Sequence, residues 1–263
     1  MPTCADILAR TLVDAGITRI FGLPGGEILD FMEAGRRAGL EFLLTRHEAT
    51  ASLMADVTGQ ISGKPGVCVA TPGPGAVNMA LGVANAFLDR SPLSAITAAH
   101  ATTAVPYATH QKLDLNAVYR PFTKLAIALD GIDTALKVQH AIAVSLAPRL
   151  TSQAWTAFEP LSLFESNGLS AMSYSLPAAM AARLLFPPRP ILCTIGDGGF
   201  GMTMADIETC VRERLNFVTV ETMEQLDAAV TECLRAERPV VIDAPVDPSE
   251  YAAHTAAARR PDE

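Results

Sequence analysis

Gly196, Asp197, Gly198 and Gly199 follow the apolar run 191–195 and precede a stretch of helical pattern. Glycines at three of these positions let backbone amides approach phosphate oxygens, and Asp197 offers the hard anionic oxygen that Mg²⁺ takes. The loop suits a diphosphate with its Mg²⁺; a tight turn whose Asp caps the next helix would use the same residues. Glu48, in Arg46-His47-Glu48, stands where an apolar strand gives way to a helix. Such positions face the crevice at the carboxyl end of a parallel sheet. A carboxylate there could act on a proton, or could simply stabilise an exposed helix start through the macrodipole. Thr71-Pro-Gly-Pro-Gly-Ala-Val-Asn78 is another strand-to-helix loop in which glycine permits close approach by a ligand, with a rigid turn as the alternative.

The elements that must hold these loops are legible from periodicity. Helical spacing over 3–15 ends at Gly16, ahead of a short strand at 19–22 and the loop Leu23-Pro24-Gly25-Gly26. A helix over about 27–38, a strand at 42–45, a helix from near Glu48, a strand at 66–71, a helix over 76–88 and a strand at 93–97 follow. Residues 100–125 are polar and irregular, and a helix over 134–146 closes the first half. Strands alternating with helices make this half a doubly wound parallel α/β unit. Pro148 and the residues after it mark a boundary, giving domains at 1–148 and 149–263. The second half repeats the pattern more briefly, with helices at 177–185, 204–214 and 222–236 and strands at 191–195, 217–220 and 240–243. Thr203 and Asp206 have the spacing of an N-capping pair, and the tail 252–263 has no partner pattern.

With 263 residues, 49% hydrophobic and 18% charged, the chain has ample material for a buried core. A net charge of −8 with scattered Lys and Arg argues against a nucleic-acid partner. Asp6 and Arg10 interrupt what a signal peptide would keep apolar, and no uncharged run approaches membrane-spanning length. Cys4, Cys68, Cys193, Cys210 and Cys233 are odd in number and widely spaced, which reads as reduced thiols in a cytoplasmic protein. Cys68 and Cys193, inside apolar runs, read as core thiols.

Taken in order, the segments Phe21-Gly-Leu-Pro-Gly-Gly26, Arg46-His-Glu48 with Met54-Ala-Asp56, Gly63-Lys-Pro-Gly-Val67, Thr71 to Asn78, Pro121-Phe-Thr-Lys124, Leu176-Pro-Ala-Ala179 and the Gly-Asp-Gly loop resemble the thiamine diphosphate enzymes, in particular the acetolactate synthase catalytic subunits. The resemblance implies two thiamine diphosphate-binding domains, the second shortened, and decarboxylation of a 2-keto acid with carboligation. By that likeness Glu48 hydrogen-bonds the cofactor's aminopyrimidine ring and promotes its imino tautomer, and Gln111 faces the substrate. Pro24, Gly25, Thr71, Gly73, Asn78, Gly196, Gly198 and Gly199 line the cofactor, Asp197 binds Mg²⁺, and Met172 holds the cofactor bent. A core methionine is the other reading of Met172. The likeness further implies a homodimer or homotetramer whose sites lie between chains, acting on a small 2-keto acid. His47 reads as structural, and His110 as a possible substrate-side contact where the family carries an aromatic residue. Lys112 and Ser173 also depart from the family pattern, which leaves the keto acid open.

Two segments of the family pattern are missing. The family has a middle domain between its two cofactor-binding domains, and acetolactate synthases bind FAD largely through it; here the first domain runs almost directly into the second, so FAD is not expected. In the family an Asn-rich turn, one helix and one strand after the Gly-Asp-Gly loop, supplies a second Mg²⁺ ligand. Here 217–220 joins Glu221-Thr-Met-Glu-Gln225, which resembles a later segment. A non-catalytic or engineered minimal remnant of the fold with an incomplete Mg²⁺ site, and a related 2-keto acid decarboxylase or carboligase, therefore stand as alternatives to an acetolactate synthase-like enzyme.

Overall fold

Thr3 starts the first helix because its hydroxyl accepts from the Asp6 amide at 3.1 Å while the Asp6 carboxylate takes the Thr3 amide at 2.9 Å. That reciprocal cap opens α1 (Cys4–Asp14), the first element of a computed structural model that describes residues 2–100, 109–131, 133–146, 164, 166, 168–187, 191, 193, 195–213, 216–219 and 240–243. The chain divides into a larger unit, Met1–Cys210, and a smaller one, Val211–Glu263.

In the larger unit, β1 (Arg19–Gly22), α2 (Leu29–Ala38), β2 (Glu41–Leu44), α3 (Glu48–Ser62), β3 (Gly66–Ala70), α4 (Pro74–Asp89) and β4 (Leu93–Thr97) alternate as the periodicity predicts. The strands form one parallel sheet in the order β2-β1-β3-β4, with Ile20 opposite both Phe42 and Val67. Every residue of β3 is buried, as a central strand covered on both faces requires. Val67 and Val69 join Leu8, Leu12, Ile20, Phe31, Val138 and Ile142 in one core cluster beneath α1, α2 and α6 (Thr134–Leu146). Strand alternation sends Cys68 to the other face, where α3 and α4 pack.

The structure differs from the sequence reading in several places. A short helix, α5 (Leu115–Tyr119), lies within the stretch expected to be irregular. Asp114 caps it by accepting from the Ala117 amide at 3.0 Å, and the Tyr119 hydroxyl donates to the Ala76 carbonyl. After α7 (Ser175–Leu185), the expected strand at 191–195 is not formed at Ile191, Cys193 and Ile195, its described residues. The Gly-Asp-Gly-Gly segment is the first turn of α8 (Asp197–Thr203), closed by the Phe200 amide on the Gly196 carbonyl at 2.8 Å. The helix expected at 204–214 is a 3₁₀ turn, Met204–Asp206, followed by α9 (Ile207–Arg212). Thr203 and Asp206 do not cap one another: the Thr203 hydroxyl turns back to the Gly199 carbonyl at 3.4 Å, and the Asp206 carboxylate has partners elsewhere in the unit.

In the smaller unit, β5 (Asn216–Thr219) pairs in parallel with β6 (Val240–Asp243), Asn216 opposite Val240. The expected domain boundary at 148/149, the helix at 222–236 and the tail 252–263 lie outside the described residues. No helix among the described residues is long and apolar enough to cross a membrane. Cys4, Cys68, Cys193 and Cys210 are free thiols; burial pushes Cys193 up to about 11 and Cys210 up to about 12, and raises Cys68 as well.

Two features of α3 and α4 fix how closely they lie. A side chain on Gly82 of α4 would come within 2.3–2.6 Å of Ser52 and Leu53 of α3, so the helices meet at near-backbone distance. Deeper along α3, the fully buried Asp56 accepts from Asn85 at 2.7 Å and from Gln60 at 2.9 Å. Burial raises the Asp56 carboxyl against the opposing effect of these hydrogen bonds.

Gly82→Ala is expected to cost about 1–3 kcal/mol through overpacking, read as a lower urea midpoint. Because the folded state binds the Asp56 proton more tightly than the unfolded chain does, the stability linked to that proton is full below the ordinary value of 3.8 and is lost as pH rises toward the folded value. Urea midpoints from acid to neutral pH should show wild type losing stability relative to Asp56→Asn as pH rises; a parallel pair of curves would contradict the assignment.

Candidate functional site

The carboxyl ends of β1, β2 and β3 supply the first half of the site. Just past β2, His47 is the N-cap of α3, its Nδ1 accepting from the Ala49 amide at 3.1 Å, which gives it the structural role the sequence favours. The Thr45 hydroxyl donates to the His47 carbonyl at 3.0 Å and fixes the turn further. Glu48, the first residue of α3, is only 7% exposed. This excludes the exposed helix-start reading and makes hydrogen-bond partners obligatory. One partner is Asn78, whose Nδ2 donates to Glu48 Oε2 at 3.1 Å. The other oxygen, Oε1, faces the loop after β3: a side chain on Gly75 would come within 3.0 Å of it and 2.6 Å of Thr71 Oγ1. Gly75 is therefore what lets the loop reach the carboxylate.

Past β1, Gly25 lies against the Thr71 methyl group, while Pro24 is exposed. Gly73 has φ +68°, a conformation that favours glycine, and a side chain there would meet Gln111 Cγ at 2.9 Å. Gln111 itself has φ +52°, uncommon for a residue with a side chain. Its Oε1 is buried and has no hydrogen-bond partner among the described residues. A strained residue presenting an orphaned acceptor above a glycine-lined loop fits a ligand that brings a donor. His110 is exposed, and its backbone carbonyl contacts His100 Nε2 at 2.8 Å.

The second half is built around α8. Gly196 and Gly198 are exposed with open space where a side chain would stand, whereas Gly199 is buried against the Met172 carbonyl. Met172 is 63% exposed, so it is not a core methionine. The side chain of Asp197 lies outside the described residues, and among those described no group of three His, Cys, Asp or Glu could hold a metal ion.

Asp206 is the residue the sequence reading missed. It is fully buried, and its Oδ1 accepts the Arg46 amide at 2.8 Å while Oδ2 accepts the Thr50 hydroxyl at 2.5 Å. Both donors flank Glu48 in sequence. Next to them, Arg46 Nε donates to Glu208 Oε2 at 2.6 Å, which raises the Arg46 pKa by stabilising its charged form. Local spacing pairs Asp206 with Thr203, and nothing in it points to residues 46 and 50.

A buried Glu at the carboxyl end of a parallel strand, with a Gly-Asp-Gly turn opening a helix further along the chain, is an arrangement of an α/β protein. The thiamine pyrophosphate enzyme N-terminal TPP binding domain matches residues 2–118, and the C-terminal TPP binding domain of the same enzymes matches 144–220. The chain belongs to the thiamine pyrophosphate enzyme family. It is 40% identical over 121 residues to an acetolactate synthase large subunit of Buchnera aphidicola, covering 46% of this chain and 21% of that protein. With the acetolactate synthase isozyme 3 large subunit of Escherichia coli the identity is 35% over 148 residues, covering 55% of this chain and 26% of that protein. A probable 2-ketoarginine decarboxylase of Pseudomonas aeruginosa is 31% identical over 153 residues, covering 56% of this chain and 27% of that protein. The matched stretches thus span about a quarter of these relatives.

Asn78→Ala removes a donor from a buried carboxylate and is expected to lower stability at pH 7 by about 1–3 kcal/mol. A urea midpoint unchanged from wild type would show that the Asn78 bond to Glu48 contributes nothing.

Proposed function

We propose that this chain binds thiamine diphosphate with Mg²⁺ and acts on a pyruvate-like 2-keto acid, decarboxylating it and joining the remaining fragment to a second carbonyl compound, as the acetolactate synthase resemblance implies. The observation that carries this reading is the buried Glu48 carboxylate, one oxygen held by Asn78 and the other turned to the Thr71–Gly75 loop, which also meets Gln111 at Gly73. An isolated α/β scaffold has no physical need for a carboxylate taken out of water at that point.

When bound, thiamine diphosphate would supply the electron sink for breaking the bond beside the substrate carbonyl. Glu48 Oε1 would hold a proton shared with the aminopyrimidine ring, and Asn78 keeps the carboxylate oriented for it. Pro24, Gly25, Thr71, Gly73 and Met172 would line the cofactor, Gln111 would offer its acceptor on the substrate side, and Gly196, Gly198 and Gly199 would receive the diphosphate. Asp197 would be the protein's ligand to Mg²⁺, an ion that readily keeps several waters when a diphosphate supplies other oxygens. On this reading residues 1–148 are the pyrimidine half and 149–263 the diphosphate half, the location is the cytoplasm, and FAD has no part. A second reading, decarboxylation without carboligation, is favoured by the likeness to the probable 2-ketoarginine decarboxylase.

Calorimetric titration with thiamine diphosphate and Mg²⁺, followed by turnover of pyruvate, tests the proposal. Saturable binding is expected, and Glu48→Ala should bind comparably while losing turnover. No binding at millimolar cofactor would leave the chain as a non-catalytic remnant of the fold. Undiminished turnover in Glu48→Ala would remove Glu48 from its role. Aldehyde as the sole product would select the decarboxylase.

A further inference from the structure

Gln111 holds a conformation that its own residue type resists. At φ +52° it occupies the left-handed region, where a residue with a side chain loses free energy that neighbouring contacts must offset. The space it enters is equally narrow. Gly73, at φ +68°, has no side chain, and a Cβ there would lie 2.9 Å from Gln111 Cγ.

The backbone is anchored on both sides of this residue. On the carboxyl side, Asp114 accepts the Ala117 amide at 3.0 Å as α5 begins, and the buried Tyr119 donates its hydroxyl to the Ala76 carbonyl in the first turn of α4. On the amino side, the His110 carbonyl lies 2.8 Å from His100 Nε2. A carbonyl carries no proton, so the imidazole is the donor, with its hydrogen on Nε2. His100 itself has a firm base. Strand β4 ends at Thr97, opposite Ala70 of β3, and the Ala98 amide extends that pairing to the Ala70 carbonyl at 3.3 Å. The half-buried His100 follows two residues later, at the same end of the sheet from which residues 71–75 depart.

We propose that His100 is a positioning residue for Gln111, its Nε2–H holding the His110–Gln111 peptide so that the Gln111 side chain stays against Gly73. That Gln111 meets the substrate rests on the proposed function; that His100 holds Gln111 does not. The bonded carbonyl belongs to the rigid peptide unit that contains the Gln111 nitrogen, so tying it down fixes the plane about which the Gln111 φ turns. With that plane tied beyond β4 and α5 tied to α4, the one left-handed residue between them is set from both directions. Gln111 Oε1 remains buried without a partner among the described residues, an acceptor presented rather than spent. The bond uses only the backbone of residue 110, so it is independent of the ring that His110 exposes.

The test compares the full chain with His100→Leu, which keeps apolar bulk without a donor, and His100→Gln, whose amide keeps a donor at similar reach. Each is labelled with ¹³C,¹⁵N-glutamine and studied by NMR without cofactor, the Gln111 signals being identified by their loss in Gln111→Asn. The Gln111 ¹³Cα and ¹³Cβ shifts are expected to carry the positive-φ signature in wild type and His100→Gln, and to lose it in His100→Leu. A signature absent from wild type, or retained in His100→Leu, would overturn the proposal. Equal loss in His100→Leu and His100→Gln would overturn it too, because the shape of the ring rather than its hydrogen bond would then hold the segment. Steady-state turnover of pyruvate with thiamine diphosphate and Mg²⁺ reads the consequence. In His100→Leu, KM should rise several-fold with kcat and the cofactor Kd little changed, the pattern of a lost uniform binding contact, and His100→Gln should largely restore it. An unchanged KM in His100→Leu would remove the positioning role even if the Gln111 shifts had moved. A wild type that binds no cofactor would sink the function proposed above, and the NMR comparison alone would then decide whether His100 holds Gln111.

Discussion

Helix α3 carries acidic and hydroxyl side chains into a place where water cannot reach them. Glu48, Thr50, Ser52 and Asp56 are all buried, along with the apolar Leu53, Met54 and Val57. The apolar residues secure the helix against the sheet and α4, each worth about 1.5–3 kcal/mol of burial. The polar ones impose a stricter demand, since each needs a partner of matching chemistry at hydrogen-bond distance. Asn78 answers Glu48, Asp206 answers Thr50, and Asn85 and Gln60 answer Asp56. Those partners come from α4, from the turn before α9 and from α3 itself. Much of the tertiary arrangement of the larger unit satisfies this one helix.

Two kinds of precision follow from that demand. Gly82 brings α4 close enough for Asn85 to reach Asp56, and Gly75 brings the loop close enough to face Glu48. Any larger residue at either point would hold the partners apart. Gln111 shows the opposite condition, a side chain in a strained backbone position with a buried acceptor left unanswered among the described residues. Such departures from satisfaction are found where a protein is prepared for something other than itself. Glu48 is thus held through one oxygen by Asn78, while Gln111, beside Gly73, keeps a buried acceptor without a partner among the described residues.

The glycines of the second half act differently from those of the first. Gly75 and Gly82 are small because a neighbour is already close, whereas Gly196 and Gly198 border open space. Winding Gly196 to Phe200 into the start of α8 gives this turn its shape without an expected preceding strand at the described residues. Its place in the unit comes instead from Gly199 against Met172 and from the buried Asp206 a few residues on. In the smaller unit, the parallel pairing of β5 with β6 keeps the strand order of a wound sheet in its shortest form.

The sequence by itself determined the alternation of helices and strands, the parallel sheet at the first half, the loops at 23–26, 46–48 and 71–78, and the family to which the chain belongs. These are local properties: periodicity, glycine placement and strand ends are written in neighbouring residues. Tertiary structure alone decided that Glu48 is buried rather than an exposed cap, that Met172 is exposed rather than core, and that His47 spends its ring nitrogen on the helix start. It also assigned Asp206, which short-range spacing pairs with Thr203, to Arg46 and Thr50, some 160 residues earlier in the chain. Burial and long-range pairing depend on which surfaces the fold brings together, and one sequence read along its length carries no record of that choice.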